Sequence, residues 1–182
     1  WLARRQVAHV AAHREVVPAA FAARIGIAAH RKAADYTAAK QRLAMLHTAA
    51  DALLLLAMTL GGGLAVIVAW TETVPVAPLW RDVLMFVAAG GVFGAVGLPF
   101  SWYHTFRIEE RFGFNRMTMK LWLADLAKGL AVATALGLPL LVLVLWLMRA
   151  AGSLWWLWAW GAWMAFQLLV LVLYPTVIAP LF

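Results

Sequence analysis

The sequence predicts an all-α protein, namely a polytopic membrane helix bundle with about four transmembrane helices and a basic N-terminal cytoplasmic arm. Hydrophobic residues make up 65% of the chain and charged residues only 13%, which is about half the charged share of a soluble domain. Such a chain has too little polar surface to cover a globule in water. The 11 tryptophans agree with this prediction, because indole rings favour the interface between membrane and water.

Four apolar stretches are long enough to cross a bilayer as helices. A transmembrane helix needs about 20 apolar residues to cross roughly 30 Å of hydrocarbon. Gly90 and Gly94 also have the four-residue spacing of small residues that lets neighbouring membrane helices pack closely. We therefore predict a transmembrane bundle over residues 49–182, with spans at about 49–70, 83–103, 121–148 and 154–178.

Residues 1–48 form a basic, amphipathic arm before the first predicted span. Only Glu15 and Asp35 oppose its cations, which are Arg4, Arg5, Arg14, Arg24, Arg31, Lys32, Lys40 and Arg42. Helix formers dominate the arm, and Pro18 and Gly26 interrupt them. We expect two or three short helices at a membrane surface.

The distribution of basic residues among the loops predicts the orientation. The arm and the 104–120 loop are rich in Lys and Arg, whereas the turns at 71–82 and 149–153 have one Arg each. Basic loops remain in the cytoplasm, so the arm and the 104–120 loop are predicted to be cytoplasmic. The Ala- and Arg-rich composition is typical of a GC-rich bacterium and therefore favours the bacterial cytoplasmic (inner) membrane.

The net charge of +7 fits a protein whose cytoplasmic loops face anionic lipid. We therefore expect the lipid bilayer as a partner. Nucleic acid is not expected, because the basic arm lacks the interleaved aromatic residues of a nucleic-acid-binding surface.

No catalytic or metal-binding residue is predicted within this chain. Thiolate ligands are excluded because the sequence contains no cysteine. His9 and His13 have the spacing of a zinc-protease pair, but Val10 occupies the place of the catalytic glutamate, and H-E-x-x-H occurs nowhere in the chain. An ordinary solvated helix face explains the two histidines better.

Asp125 and Lys128 form a predicted intramembrane pair near the start of the third span. They lie three residues apart and therefore on one helix face. Charges inside a bilayer are costly and often mark an ion or proton site. A local pair at the cytoplasmic interface is the simpler interpretation, because both residues lie close to the basic loop.

The most distinctive stretch of the 104–120 loop is Glu109-Glu110-Arg111-Phe112-Gly113-Phe114-Asn115. The two carboxylates could offer ligands, but pairing with Arg107 and Arg111 is the simpler account. Gly113 between two phenylalanines predicts a tight turn, and replacing this glycine would be most harmful if the turn needs positive φ.

This loop is part of a resemblance to a known family. Phe100-Ser101-Trp102-Tyr103, the run from Ile108 to Asn115, and Tyr174-Pro175-Thr176-Val177-Ile178-Ala179-Pro180-Leu181-Phe182 resemble segments of the type I CAAX prenyl protease family. Asp125 and Lys128 also match. The family consists of integral-membrane zinc metallopeptidases. The resemblance covers essentially the whole chain and is most specific from about residue 98 onward.

The resemblance implies a functional role. The family holds zinc with two histidines of H-E-x-x-H and a downstream glutamate, and it cleaves prenylated or other membrane-associated proteins. These zinc ligands are expected in a catalytic domain after residue 182. The chain is therefore expected to be the N-terminal membrane part, lacking the family's first span. Zinc is expected in the full-length parent and none in this fragment, which is predicted to be inactive alone.

We expect this region to wall the proteolytic chamber, with the run from Glu109 to Asn115 positioning the parent's own catalytic domain. The alternative is a non-enzymatic membrane module, such as a small transporter or an assembly factor. Transporters normally place polar residues near the midplane of their spans, and this sequence shows none there convincingly.

The predicted orientation can be tested by cysteine labelling in whole cells, since the chain contains no cysteine of its own. Single cysteines replacing Ala12 or Thr118 should resist an impermeant thiol reagent added outside, because both positions are predicted to be cytoplasmic. A cysteine replacing Val76 should react. The reverse pattern would overturn the orientation.

Overall fold

The computed structural model describes residues 1–18, 21 and 24–181, which are mostly helical and include no strand. Short π-helical or 3₁₀ segments follow α4, precede α6 and end the described chain. The helices are α1 (Leu2–Ala12), α2 (Ile27–Thr59), α3 (Gly63–Glu72), α4 (Pro78–Tyr103), α5 (Met119–Ala150) and α6 (Trp155–Leu173). The all-α prediction is confirmed.

Four helical segments are long and apolar enough to cross a bilayer, as predicted. When the short helical turns next to α4 and α6 are included, the four segments are Ile27–Thr59, Pro78–Glu109, Met119–Ala150 and Gly152–Leu181. The shorter α3 is also apolar. Most large apolar side chains are exposed, and the described part of α6 has no buried residue. The described residues thus lack the dense core of a water-soluble domain, as expected where lipid or other protein covers the helices.

The chain divides into two compact units. The first comprises Trp1–Leu64 and Gly90–Met117, and the second comprises Ala65–Ala89 and Thr118–Phe182. In the second unit α5 and α6 pack against each other, and Arg149 forms an ion pair with Asp82.

In the first unit α1 packs on α2, and two ion-pair contacts join the segment after α1 to α2. Arg14 donates from Nε and Nη2 to the two carboxylate oxygens of Asp35, at 2.8 Å in both cases. Glu15 accepts from Arg31, and this hydrogen bond lowers the pKa of Glu15. The bidentate contact between Arg14 and Asp35 fixes the orientation of the two side chains as well as their separation.

The expected series of short helices in the arm is wrong for residues 27–48. They belong to α2, which runs without a break for 33 residues. The physical reason is composition, because neither Gly nor Pro occurs between Gly26 and Gly61. The basic part of the arm and the beginning of the predicted first span therefore share one helix.

The predicted span at 49–70 is interrupted by a turn between α2 and α3. Gly62 has a φ of +80°, a left-handed conformation that glycine adopts without steric cost. A Cβ on Gly61 would lie 2.6 Å from the carbonyl oxygen of Ala57. Two adjacent glycines therefore allow the break.

Gly90 and Gly94 do not make the close helix contact that their spacing predicted. Apart from the chain neighbours and the nearby backbone of the same helix, no atom of the described residues would lie within 4 Å of a Cβ built on either glycine. The surface around them is open in this part of the protein.

Candidate functional site

The C-terminal end of α4 continues directly into a π-helical turn, His104–Glu109. A π-helical turn brings residues five apart together, and such turns are frequent at functional sites. His104 Nδ1 lies 3.5 Å from the carboxylate oxygen Oε1 of Glu109. Ile108 in the same turn is only 6% exposed and anchors it.

The predicted pairing of Glu109 and Glu110 with Arg107 and Arg111 is wrong. Glu109 pairs with His104, because the π-helical turn replaces the usual four-residue spacing with one of five. Within the described ranges, neither arginine has a carboxylate oxygen within 4.0 Å. The guanidinium carbons lie over aromatic rings instead, Arg107 at 5.9 Å from Trp102 and Arg111 at 5.7 Å from Phe112.

The chain reverses after Glu110 in a Schellman motif, a hydrogen-bonded turn that ends a helix. The amide of Phe114 donates to the carbonyl of Glu109 at 2.8 Å, and the amide of Gly113 donates to the carbonyl of Glu110 at 2.9 Å. Gly113 has a φ of +68°, the left-handed value that this motif requires at that position. The tight turn is the one that the position of Gly113 between two phenylalanines predicted, and the structure shows that it uses positive φ.

An aromatic clamp, which we define as Tyr36, Phe112 and Phe114, holds the loop against α2. The ring of Tyr36 meets Phe112 edge-on at 5.5 Å and Phe114 edge-on at 5.0 Å. Lys32 Nζ also lies 4.9 Å from the centroid of the Phe114 ring. Because edge-on aromatic pairs are attractive beyond their buried area, one tyrosine fixes both sides of the turn.

The loop then leads into α5 through two local hydrogen bonds. The side chain of Asn115 accepts from the amide of Met117 at 2.7 Å. The hydroxyl of Thr118 accepts from the amide of Leu121 at 3.2 Å and so caps the N-terminus of α5. The whole segment from Glu109 to Thr118 is therefore ordered by its own backbone and by Tyr36.

Asp125 and Lys128 lie together on α5, with Lys128 Nζ 3.3 Å from the carboxylate oxygen Oδ1 of Asp125. Lys128 Nζ also donates to the carbonyl oxygen of Leu181 at 2.8 Å. The pair therefore reaches the end of the described chain. Sequence reasoning missed this contact, because no local pattern relates residues 53 positions apart.

The histidines of the arm also lie close together. The rings of His9 and His13 have centroids 4.2 Å apart, and His30 Nε2 lies 2.9 Å from the carbonyl oxygen of His13. Among the described residues, no three His, Cys, Asp or Glu side chains come close enough together to hold a metal ion.

These observations define an α-helical membrane protein with a structured loop at the end of one span and no metal-binding group among the residues described. The family model described as "CAAX prenyl protease N-terminal, five membrane helices" matches residues 6–182. The chain therefore belongs to the CAAX prenyl protease family. The predicted family resemblance is confirmed.

Curated relatives agree with the family model. The CAAX prenyl protease 1 homolog of Caenorhabditis elegans is 30% identical over 159 residues, which cover 87% of this chain and 35% of that protein. The Homo sapiens homolog is 35% identical over 100 residues, covering 54% of this chain and 21% of that protein. The Taenia solium homolog is 38% identical over 85 residues, which cover 47% of this chain and 18% of that protein. The chain thus spans about a third or less of these relatives.

The fold also matches a solved structure. The crystal structure of S. mikatae Ste24p superposes with a TM-score of 0.87 at 24% sequence identity. The match covers 100% of this chain and 43% of that chain. At this identity the likeness shows a common fold.

Removing the aromatic clamp should loosen the loop. Tyr36→Ala deletes both edge-on contacts, each of which contributes roughly 0.5–1.5 kcal/mol. The amides of Phe114 and Asn115 should then exchange with deuterium about fivefold faster or more. Hydrogen–deuterium exchange read by mass spectrometry measures this directly.

Tyr36→Phe is the matched control, because it keeps the ring and removes only the hydroxyl. Its exchange should equal that of the unmodified protein. If Tyr36→Ala also left the exchange of the loop unchanged, the backbone motif at Gly113 would hold the loop alone.

Proposed function

We propose that this chain is the N-terminal membrane region of a zinc metalloendopeptidase, where it walls the proteolytic chamber and positions the catalytic domain. The observation that carries this proposal is the 104–120 loop, ordered by the Gly113 turn and the aromatic clamp at the end of a span in a chain of this family. The substrates are prenylated or other membrane-associated proteins, and the reaction is peptide-bond hydrolysis.

The loop acts as a structural latch. Its inner side is fixed on α2 through Tyr36, whereas Glu110, Arg111 and Arg116 are exposed. Exposed charges of both signs on a rigid turn are suited to docking against another domain, because such a surface loses little conformational entropy when it binds. The latch contributes no nucleophile and no zinc ligand.

Asp125 and Lys128 support the same role from α5. By holding the carbonyl of Leu181, Lys128 fixes the direction in which the chain leaves the fourth candidate span. Asp125 keeps the ammonium group in place and offsets its charge. The pair therefore aligns the segment that leads toward the proposed catalytic domain.

Zinc would supply Lewis-acid activation of water in the parent protein. The described residues of this chain do not fit a zinc site, because no three suitable donors come together among them. The family resemblance implies that the parent's catalytic domain holds the metal, and we propose that this chain supplies the scaffold.

The protein is proposed to lie in a membrane with the arm and the 104–120 loop in the cytoplasm. The assignment to a bacterial inner membrane depends on composition, and the named relatives come from eukaryotes. Family membership favours the protease scaffold over a non-enzymatic membrane module.

The latch can be tested in the full-length parent with Glu109→Gln, Glu110→Gln and Gly113→Val. Each glutamine variant should lower folding yield or peptidase activity and leave the zinc content per folded molecule unchanged. Gly113→Val should be more severe, because a β-branched residue at a φ of +68° is strained. Metal analysis of size-selected protein and a quenched-peptide assay give the two readouts.

Glu72→Gln is the matched control, because Glu72 is an exposed carboxylate outside the loop and the change should be silent. Loss of zinc from well-folded Glu110→Gln protein would assign the loop to the metal site and refute the latch.

A further inference from the structure

A cavity of about 470 Å³ lies between α2 and the C-terminal end of α4 together with the π-helical turn that continues it. All of its lining residues belong to the first compact unit. One part of the wall is apolar and includes Leu43, Leu46 and Phe100. The rest of the lining includes three arginines, Arg42, Arg107 and Arg111.

The three arginines are not neutralised by nearby carboxylates. Over the ranges that the structure describes, none of them has a carboxylate oxygen within 4.0 Å. Asp35 interacts electrostatically with Arg111, but both of its oxygens accept hydrogen bonds from Arg14. A concave site with three arginines, none of them in a close ion pair, and an apolar wall concentrates anions.

The position of the cavity indicates which class of anion it binds. Arg42 is the last Lys or Arg of α2, and after it the helix is mainly apolar, with His47 and Asp51 as its ionisable residues. Arg107 follows the apolar part of α4. Both helices belong to candidate membrane spans. The cavity therefore lies at the level where hydrocarbon gives way to lipid headgroups, and basic pockets between membrane helices bind acidic headgroups there.

The apolar wall determines the rest of the ligand. Leu46 is 64% exposed and Phe100 lies beside the cavity, so the apolar surface continues from the cavity toward the span. A free phosphate would leave this surface uncovered, whereas an acyl chain covers it and gains hydrophobic energy. Arginine forks also match phosphate oxygens in bidentate geometry.

We infer that this cavity binds an anionic phospholipid, with the phosphate held by Arg42, Arg107 and Arg111 and an acyl chain lying along Leu43 and Leu46. The site is separate from the zinc chemistry, and it does not depend on the proposed peptidase activity. The lipid fills the gap between α2 and the π-helical turn and thereby braces the turn that precedes the latch.

The test measures lipid retention by the full-length protein in nanodiscs. The discs contain phosphatidylcholine and phosphatidylglycerol with the same acyl chains. Native mass spectrometry counts the lipids that remain bound to the protein after it is released from the discs. The unmodified protein should retain phosphatidylglycerol in preference to phosphatidylcholine. The double variant Arg107→Gln/Arg111→Gln should retain at least about tenfold less phosphatidylglycerol, because it loses charge-assisted hydrogen bonds.

Two further variants keep the test specific. Arg4→Gln/Arg5→Gln removes the same charge from the arm outside the cavity and should retain lipid normally. Leu46→Trp leaves the three arginines intact and should weaken retention by filling the apolar part, and its exposed position makes misfolding of the variant a poor explanation.

Equal retention by the cavity double variant and the unmodified protein would overturn the proposal. Equal loss in the Arg4/Arg5 double variant would also overturn it, because the effect would then be one of net charge. Displacement of the lipid by inorganic phosphate, or by a soluble peptide through its C-terminal carboxylate, would assign the cavity to a different anion.

Discussion

The left-handed turn at Gly113 determines where the rest of the loop can lie. Without a positive φ at this residue, the amides of Gly113 and Phe114 could not both return to the carbonyl groups of the preceding helical turn. The same reversal places Phe112 and Phe114 on the two sides of Tyr36. One backbone conformation thus links the end of α4 to α2 and gives the loop a defined exposed strip.

The second constraint is the shortage of buried apolar surface. The buried apolar residues among those described are few, and large side chains of α6 such as Leu171 are mostly exposed. Such a chain is not stabilised mainly by its own core. Specific contacts, among them the Arg14–Asp35 and Lys128–Leu181 bonds, therefore fix the positions of segments that lipid and neighbouring protein must cover.

Sequence reasoning predicted the features that depend on local patterns. Hydrophobic length predicted the helical spans, and a glycine between two phenylalanines predicted the turn at Gly113. The predictions from sequence were wrong where the structure depends on the continuity of a helix or on the spacing of residues along a helical turn. The uninterrupted α2 follows from the absence of Gly and Pro between Gly26 and Gly61. The π-helical turn places Glu109 beside His104 and away from the arginines. The contacts of Tyr36 and of Leu181 depend on tertiary structure, which residue spacing does not encode.

The most direct test of the central claim is a distance measurement between the loop and the proposed catalytic domain. A spin label on Arg116→Cys and a second label on that domain, in full-length protein with other cysteines replaced, can be measured by double electron–electron resonance. If the loop positions the domain, the distance distribution should be narrow in the unmodified background and broad in Tyr36→Ala. A distribution that is equally narrow in both backgrounds would contradict the account, because the domain would then be positioned without the latch.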